Sequence, residues 1–235
     1  MIEDRLRNLE MEASTLLSEQ YIEYETGMVF LCSFSREDMI ILNLLKKNKI
    51  GIDIYTLDTG RLPQETYDLI QNVKESMEIQ IRMVYPDQES LSKLISAHGP
   101  NLFYQSSEMR HACCNERKVK PMNLILEGRS AWITGIRSEQ TNLRARSKKL
   151  ENTGSIVKIN PLLDWTYNDV QEFTRSRGIE ENKLYSKGYR SIGCLPCTRP
   201  VHVGEGERDG RWWWENESKE CGIHLNTAGA RNNGN

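Results

Sequence analysis

Four of the six cysteines in this 235-residue chain fall into two close pairs. Cys194 and Cys197 form a C-x-x-C pair, and Cys113 and Cys114 are adjacent. Thiolates in one turn can share a metal, and two such pairs supply the four ligands of a zinc site or a [4Fe-4S] cluster. The spacing does not choose between these groups, and it leaves open a redox disulfide or four separately buried thiols.

The other two cysteines, Cys221 and Cys32, stand alone. Cys221, in the stretch KECGIH, is a candidate nucleophile because a thiolate is a strong nucleophile at neutral pH. Taken alone, a cysteine near a terminus is more often an inert, small apolar residue than a catalytic one, and the neighbouring carboxylate of Glu220 is expected to raise the pKa of its thiol. Cys32 lies in a β-rich run and is interpreted as a buried, unreactive thiol.

Polar and anion-seeking groups follow three predicted strands. In SFSRED (33–38) Ser35 is a helix N-cap, where hydroxyl and backbone N–H groups attract anions. LDTG (57–60) forms a turn, and in TGIRSEQ (134–140) Gly135 lets a ligand approach while Arg137 offers a bidentate contact to phosphate or sulfate. Because the carboxyl ends of parallel strands meet at one edge of a sheet, these segments predict a nucleotide-like substrate, although each alone is also explained as an ordinary turn or cap.

Charge and composition exclude several classes of protein. The formal net charge of -2 argues against a general nucleic-acid coat, which needs a broad basic surface. A local basic segment, 135–149, is either a solvated loop or an anion site. No apolar run is long enough to span a bilayer, and MIEDRLRNLE is unlike an export signal, so we expect a cytoplasmic protein that binds neither membrane nor nucleic acid.

The elements that position these groups alternate between β-rich runs and helical patterns. Such alternation predicts an α/β fold with a parallel sheet and right-handed crossovers. The predicted strands are Met28–Ser33, Ile52–Leu57, Ile79–Val84, Ala131–Gly135 and Ser155–Pro161. An amphipathic helix is expected near the N-terminus, and another over Asp164–Gly178, capped by Thr166. We expect a nucleotide-binding domain at 1–178, an irregular C-terminal segment at 179–227 and a disordered tail at 228–235.

The motifs taken together resemble a known family. SFSRED, LDTGRLPQETY, CCNERKVKP, TGIRSEQ, NPLLDWTYNDV, GYRSIGCLPCTRP and GRWWWENESKECGIH resemble assimilatory adenylylsulfate (APS) reductase, the cluster-containing branch of the phosphoadenylylsulfate (PAPS)/APS reductases. The resemblance extends from about Val29 to His224 and implies an adenine-nucleotide α-hydrolase-like fold, a five-stranded parallel sheet with helices on both faces. SFSRED lacks the glycines with which related ATP pyrophosphatases hold ATP, which fits a sulfonucleotide better than a triphosphate.

The resemblance also implies roles for particular residues. Cys221 corresponds to the catalytic nucleophile, and the two cysteine pairs correspond to the ligands of a [4Fe-4S] cluster: Cys113, Cys114, Cys194 and Cys197. Basic residues of the family's sulfate and phosphate site match Lys118, Arg208 and Arg211, and His224 closes the ECGIH ending. With the strand ends, the expected substrate-binding residues are Ser33, Phe34, Ser35, Leu57, Thr59, Gly60, Lys118, Gly135, Arg137, Arg208, Arg211 and His224.

The implied reaction has two steps. The Cys221 thiolate attacks the sulfur of APS, AMP leaves, and thioredoxin or a glutaredoxin-like dithiol protein releases sulfite from the enzyme S-sulfocysteine. The resemblance places this reaction in sulfate assimilation and cysteine biosynthesis, implies a homo-oligomer and leaves PAPS open as a second substrate. The alternatives are a tRNA-thiolating relative of the ATP pyrophosphatases and a zinc-stabilised binding module.

Overall fold

The computed structural model describes residues 2–215 and residue 220. Seven α-helices are present in this part of the chain: α1 Ile2–Tyr24, α2 Arg36–Lys47, α3 Gln64–Met77, α4 Gln88–His98, α5 Ser107–Cys114, α6 Lys120–Leu126 and α7 Tyr167–Ser176. A single π-helical turn, Asn115–Val119, joins α5 to α6. The predicted caps are confirmed, since Ser35 accepts a hydrogen bond from the backbone N–H of Asp38 and Thr166 forms a capping box with Asp169.

Six strands form one sheet in the order β3-β2-β1-β4-β6-β5. They are β1 Met28–Leu31, β2 Asp53–Leu57, β3 Ile81–Val84, β4 Ala131–Ile133, β5 Leu150–Asn152 and β6 Val157–Ile159. The five expected strands are present and parallel, and β5 adds a sixth strand, an antiparallel edge paired with β6. The three residues of β5 are exposed or half-buried and lack alternating apolar residues, so the hydrophobic pattern gave no signal for this strand.

Helices cover both faces of the sheet, as the family resemblance implies. Successive side chains of β1 point to opposite faces, so Phe30 packs in the main core with α1, α2, α3 and α7, while Val29 packs with Trp132 and α6 on the other face. The amphipathic face of α1 enters the main core through Leu6, Leu9, Ala13 and Leu17.

The strand order reverses between β1 and β4. From β1 the chain runs outward through β2 to β3 and then returns to β4, on the opposite side of β1. In a doubly wound sheet, such a switch point opens a crevice at the carboxyl ends of the strands. The segments 33–38 and 134–140 both begin there, because they directly follow β1 and β4.

The chain beyond α7 is irregular, as expected from its sequence. Two 3-10 turns, Lys183–Lys187 and Leu195–Cys197, and a bridge between Thr198 and Arg211 are its regular features up to residue 215. The predicted disordered tail, 228–235, lies outside the described residues. Of the helices described, none is both long and apolar enough to cross a membrane.

Candidate active site

A cavity of about 200 Å³ opens at the switch point between β1 and β4. We call this cavity the cleft. Its walls include residues that follow β1, β2 and β4, together with part of the irregular segment beyond α7. Eight of the expected substrate-binding residues line it: Ser33, Ser35, Leu57, Thr59, Lys118, Gly135, Arg208 and Arg211. The structure therefore brings together groups that are up to 178 positions apart in the sequence (from Ser33 to Arg211).

Three expected substrate-binding residues do not line the cleft. The Phe34 side chain is buried in the main core, and its backbone is left-handed, with φ of 60°. Gly60 also has a positive φ, 68°, and its N–H donates to Asp58 within the turn. Arg137 lies behind the wall of the cleft. Cys221 and His224 lie outside the described residues.

Arg137 is fully buried among three carboxylates. Its Nε donates to Glu37 Oε1 at 2.6 Å, its Nη2 donates to Glu207 Oε2 at 2.5 Å, and its Nη1 donates to Glu139. Burial lowers the pKa of Arg137, but Glu37 and Glu207 outweigh this effect and raise it overall. In the structure, the Arg137 guanidinium thus forms ion pairs within the protein, whereas the sequence suggested a direct contact with a substrate anion.

The N-terminus of α2 forms part of the wall of the cleft. Asp38 accepts hydrogen bonds from the N–H and the hydroxyl of Ser33, at 2.5 and 2.7 Å. Burial raises the pKa of Asp38 to about 6, although these hydrogen bonds oppose the shift. Gly135 packs directly against this turn, where an added Cβ would overlap Asp38 Oδ1 and come within 3.0 Å of Glu37 Cβ. Glycine at 135 is therefore required by the close approach of β4 to α2.

Part of the wall of the cleft, which we call its cationic end, is rich in cations. Lys118, Arg144, Arg190, Arg208 and Arg211 contribute to it. Burial, followed by repulsion from Arg144, lowers the pKa of Arg208, although the carboxylates of Glu220 and Glu207 oppose the shift. Cations that are held close together in this way can bind an anion.

Two of these arginines, Arg144 and Arg190, were not among the predicted contacts. Arg144 lies in the basic segment 135–149, so the anion-site interpretation of that segment pointed to it. Arg190 stands in GYRSIG, where nothing in the local pattern distinguished it from a surface arginine.

All four paired cysteines line a second, much smaller cavity of about 20 Å³. We call it the four-cysteine cavity. Cys113 and Cys114 are the last two residues of α5. Cys194 precedes the 3-10 turn Leu195–Cys197, and Cys197 ends it. The backbone N–H of Leu195 donates to the carbonyl oxygen of Arg61, with an N–O distance of 2.8 Å. None of the five described cysteines is in a disulfide. Residues 194–197 and the end of α5 are thus folded together, as the pairing of the motifs predicts.

The surroundings of the four-cysteine cavity suit an anionic group. Its wall also carries four cationic side chains: Arg61, Arg110, Arg117 and Lys118. Burial raises the pKa of the Cys197 thiol to about 12 and also raises that of Cys113, against the opposing charge of Arg117. Buried thiolates are therefore unfavourable here unless a metal group binds them. The side-chain nitrogens Arg110 Nη2 and Arg117 Nε are buried without a hydrogen-bond partner.

Within residues 2–215 and 220, no three His, Cys, Asp or Glu side chains converge as the ligands of a single metal ion.

The tryptophan run packs beside this cavity. Trp212 is 1% exposed and belongs to the same apolar cluster as Cys113, Cys194 and Cys197. Trp214 contacts Tyr104 edge to face, with ring centroids 4.4 Å apart. None of the three tryptophans lines the cleft, which supports packing over base stacking.

Comparisons with known proteins agree with this architecture. Residues 27–200 match the phosphoadenosine phosphosulfate reductase domain family. Proteins named adenosine 5'-phosphosulfate reductase from Allochromatium vinosum and Rhizobium meliloti are each 42% identical to the chain; the alignments cover 94% of it and 87% and 84% of those proteins.

Solved structures with low sequence identity share the fold. The phosphoadenylyl-sulfate reductase of Candida auris, solved as a phosphate complex, aligns with a TM-score of 0.69 at 23% identity, covering 83% of this chain and 97% of that one. FMN adenylyltransferase of Candida glabrata, with ATP, aligns with a TM-score of 0.61 at 14% identity, covering 85% of this chain and 65% of that one. These likenesses confirm the predicted fold class.

Proposed function

The chain belongs to the phosphoadenosine phosphosulfate reductase family, and we propose that it is an APS reductase, which converts APS to sulfite and AMP. One observation carries the proposal: a cationic cleft at the switch point of the sheet adjoins a cavity lined by four cysteines, with Lys118 in the walls of both. The names of the 42%-identical relatives support APS as the substrate. PAPS stays open as a second substrate.

Different parts of the cleft wall bind different parts of the substrate in this proposal. Ser35, at the N-cap of α2, offers its hydroxyl to the nucleotide, and the chain at Ser33, Leu57, Thr59 and Gly135 forms the wall around it. The cationic end, with Lys118, Arg208 and Arg211, holds the phosphate and sulfate. Neutralising these anions removes the repulsion that an approaching thiolate would meet. We keep His224 as a proposed contact, and we propose that Arg137 acts by fixing Glu37 and Glu207, which line the cleft.

Cys221 is the proposed nucleophile. Its thiolate attacks the sulfur of APS, an S–S bond forms, and the S–O bond breaks so that AMP leaves with the electron pair on its phosphate. A dithiol protein of the thioredoxin or glutaredoxin type then attacks the Cys221 sulfur of the S-sulfocysteine and releases sulfite. Its second thiol resolves the mixed disulfide, so the donor is oxidised and Cys221 is restored as a thiol.

The four-cysteine cavity is the proposed site of a [4Fe-4S] cluster, held by Cys113, Cys114, Cys194 and Cys197. Bound there, the cluster would supply a fixed anionic group beside the cleft and would cross-link α5 to the segment after α7. Arg61, Arg110 and Arg117 balance charge at the cavity, and Lys118 also reaches the cleft. We place the reaction in cytoplasmic sulfate assimilation and cysteine biosynthesis, in a homo-oligomer.

The decisive experiment incubates the reduced protein with APS and no donor. We expect AMP release together with a gain of one SO₃ group on the Cys221 peptide, which reduced thioredoxin then removes. Cys221→Ser should release no AMP, whereas Cys32→Ala should behave like the wild type. Release of AMP with an unmodified Cys221 peptide would refute the proposed intermediate.

A separate experiment tests the cluster. After anaerobic purification, iron, sulfide and zinc are measured in the wild type, in Cys113→Ser, in Cys197→Ser and in Cys32→Ala as the matched control. We expect iron and sulfide in the wild type and in the control, and a loss of both in the other two variants. A colourless wild-type protein that holds zinc would contradict the cluster.

A further inference from the structure

Glu220 is buried at the cationic end of the cleft, with an exposure of 1%. Its Oε1 accepts hydrogen bonds from Thr141 Oγ1 at 2.8 Å and from Arg144 Nε at 2.9 Å. Its Oε2 accepts from Arg144 Nη2 at 2.9 Å and faces Arg208 Nη2 at 3.5 Å. A fork of this kind fixes the carboxylate in both position and orientation.

The backbone of Glu220 is also held. Arg110 Nη1 donates to the Glu220 carbonyl oxygen at 3.2 Å, while Arg110 Nε donates to both carboxylate oxygens of Glu215 at 2.8 Å. Arg110 lies in α5, one turn before Cys113. Residue 220 is thus fixed from two sides, by its side chain to 141–144 and by its backbone to the helix that carries the first cysteine pair.

The charge of Glu220 is balanced by these contacts. Burial alone would raise the pKa of this carboxyl, but Arg208 and Arg144 outweigh burial and lower it, so the carboxylate stays ionised. The expectation from the sequence, that Glu220 raises the pKa of the Cys221 thiol, treated the Glu220 carboxylate as an isolated charge. In the structure, its charge is matched by two guanidinium groups.

The guanidinium group of Arg144 is hydrogen-bonded within the protein. Two of its nitrogens donate to the Glu220 carboxylate, and the third, Nη1, donates to Gln140. All three nitrogens therefore have protein partners, although Arg144 lines the cleft. Lys118 and Arg211 also line the cleft and are the proposed contacts of a substrate anion.

We propose that Glu220 is a positioning residue for Cys221: its carboxylate, held by Arg144 and Thr141, anchors the chain at the cationic end of the cleft so that the next residue presents its thiol to the substrate. Consecutive Cα atoms are about 3.8 Å apart, so fixing Glu220 limits where the Cys221 thiol can be. This inference rests on the proposed role of Cys221 as the nucleophile.

The test uses Glu220→Gln in the full-length, anaerobically purified protein, with excess enzyme over APS and no donor. We expect AMP release in a single turnover to slow by roughly 100-fold, the usual effect of a misplaced reacting group. AMP affinity and iron content should be unchanged. Alkylation of Cys221 by iodoacetamide, which needs no docking in the cleft, should not slow. This contrast separates positioning from a general loss of structure or of thiol reactivity.

Two further variants keep the test decisive. Thr141→Val removes one donor to Oε1 and should slow the single turnover by about 5-fold, the equivalent of one hydrogen bond. Glu205→Gln is the matched control, because Glu205 is also paired with an arginine, Arg199, but does not line the cleft. It should react at the wild-type rate.

The outcomes separate this inference from the proposed function. If wild-type protein releases no AMP from APS, the proposed function fails. If the wild type reacts and Glu220→Gln reacts at the same rate, the positioning role is refuted. The role is also refuted if Glu220→Gln binds AMP more tightly than the wild type, because tighter binding would mean that the carboxylate competes with the substrate. If Glu220→Gln does not fold, a wild-type rate in Thr141→Val refutes the positioning role.

Discussion

Arg137→Met offers the sharpest test of how the cleft is built. The side chain of Arg137 is 0% exposed, and those of Glu37 and Glu207 are 8% and 17% exposed. Removing one partner of a buried ion pair leaves an uncompensated charge and costs about 3–5 kcal/mol. For a chain of this size, a cost in that range lowers the melting temperature by about 10 °C.

The loss should depend on pH. Burial already raises the pKa of Glu207 in the folded state, against the opposing charge of Arg137, so removing Arg137 raises it further above its value in the unfolded state. The folded protein then binds more protons than the unfolded one, so its relative stability rises as the pH falls. We expect the difference in melting temperature between variant and wild type to shrink between about pH 8 and about pH 5.

Differential scanning fluorimetry of iron-replete protein, with and without AMP, measures both effects. Arg175→Met is the matched control, because its partner Glu172 is on the surface and the Arg175 side chain is 78% exposed. It should change the melting temperature little. If Arg137→Met melts like the wild type at pH 8 but is no longer stabilised by AMP, Arg137 binds the ligand directly and our interpretation is wrong.

Three further predictions concern the cleft and α7. Gly135→Ala forces a Cβ onto Asp38 Oδ1 and should weaken AMP binding, measured by calorimetry, by about 10-fold or more. Cys32→Ala should keep full activity, because burial raises the pKa of the Cys32 thiol well above its usual value, and peptide mapping should find Cys32 unalkylated in the native wild type. Hydrogen bonding to Arg5 and Thr166 holds the pKa of Asp169 at about 2 despite burial. The ionised carboxylate therefore stabilises the fold above about pH 4, and this stability is lost as the pH falls toward 2. Asp169→Asn should lower the melting temperature at pH 7 by roughly 3–6 °C, which is less than the full pKa shift would give because Arg5 is half exposed.

Each of these predictions has a control or a contrary result. Gly51→Ala tests glycine substitution where an added Cβ meets nothing, and it should leave AMP binding unchanged. Rapid alkylation of Cys32 in native protein would contradict its burial. A difference in melting temperature between Asp169→Asn and wild type that stays the same at pH 7 and at pH 3 would show that the carboxylate charge contributes nothing.

Local patterns were enough to predict most of the elements. The β-rich runs at 28–33 and 131–135 contain β1 and β4, and Thr166 caps α7 as expected. These features were predictable because hydrophobic alternation and helix capping depend on residues only a few positions apart. The edge strand β5 escaped prediction because its exposed residues are ordered by pairing with β6 and not by burial of an apolar face.

The sequence by itself determined which chemical groups this protein has: four paired cysteines, a lone Cys221, and polar segments at the ends of three strands. The tertiary structure alone decided which of those groups meet. The sequence suggested Arg137 as an anion ligand, and the structure pairs it with Glu37, 100 positions away. The role proposed for Glu220 depends on Arg144, which lies 76 positions away in the sequence. The physical reason is that charges pair through space, and the strand order that brings them together is not recorded in any local stretch of the chain.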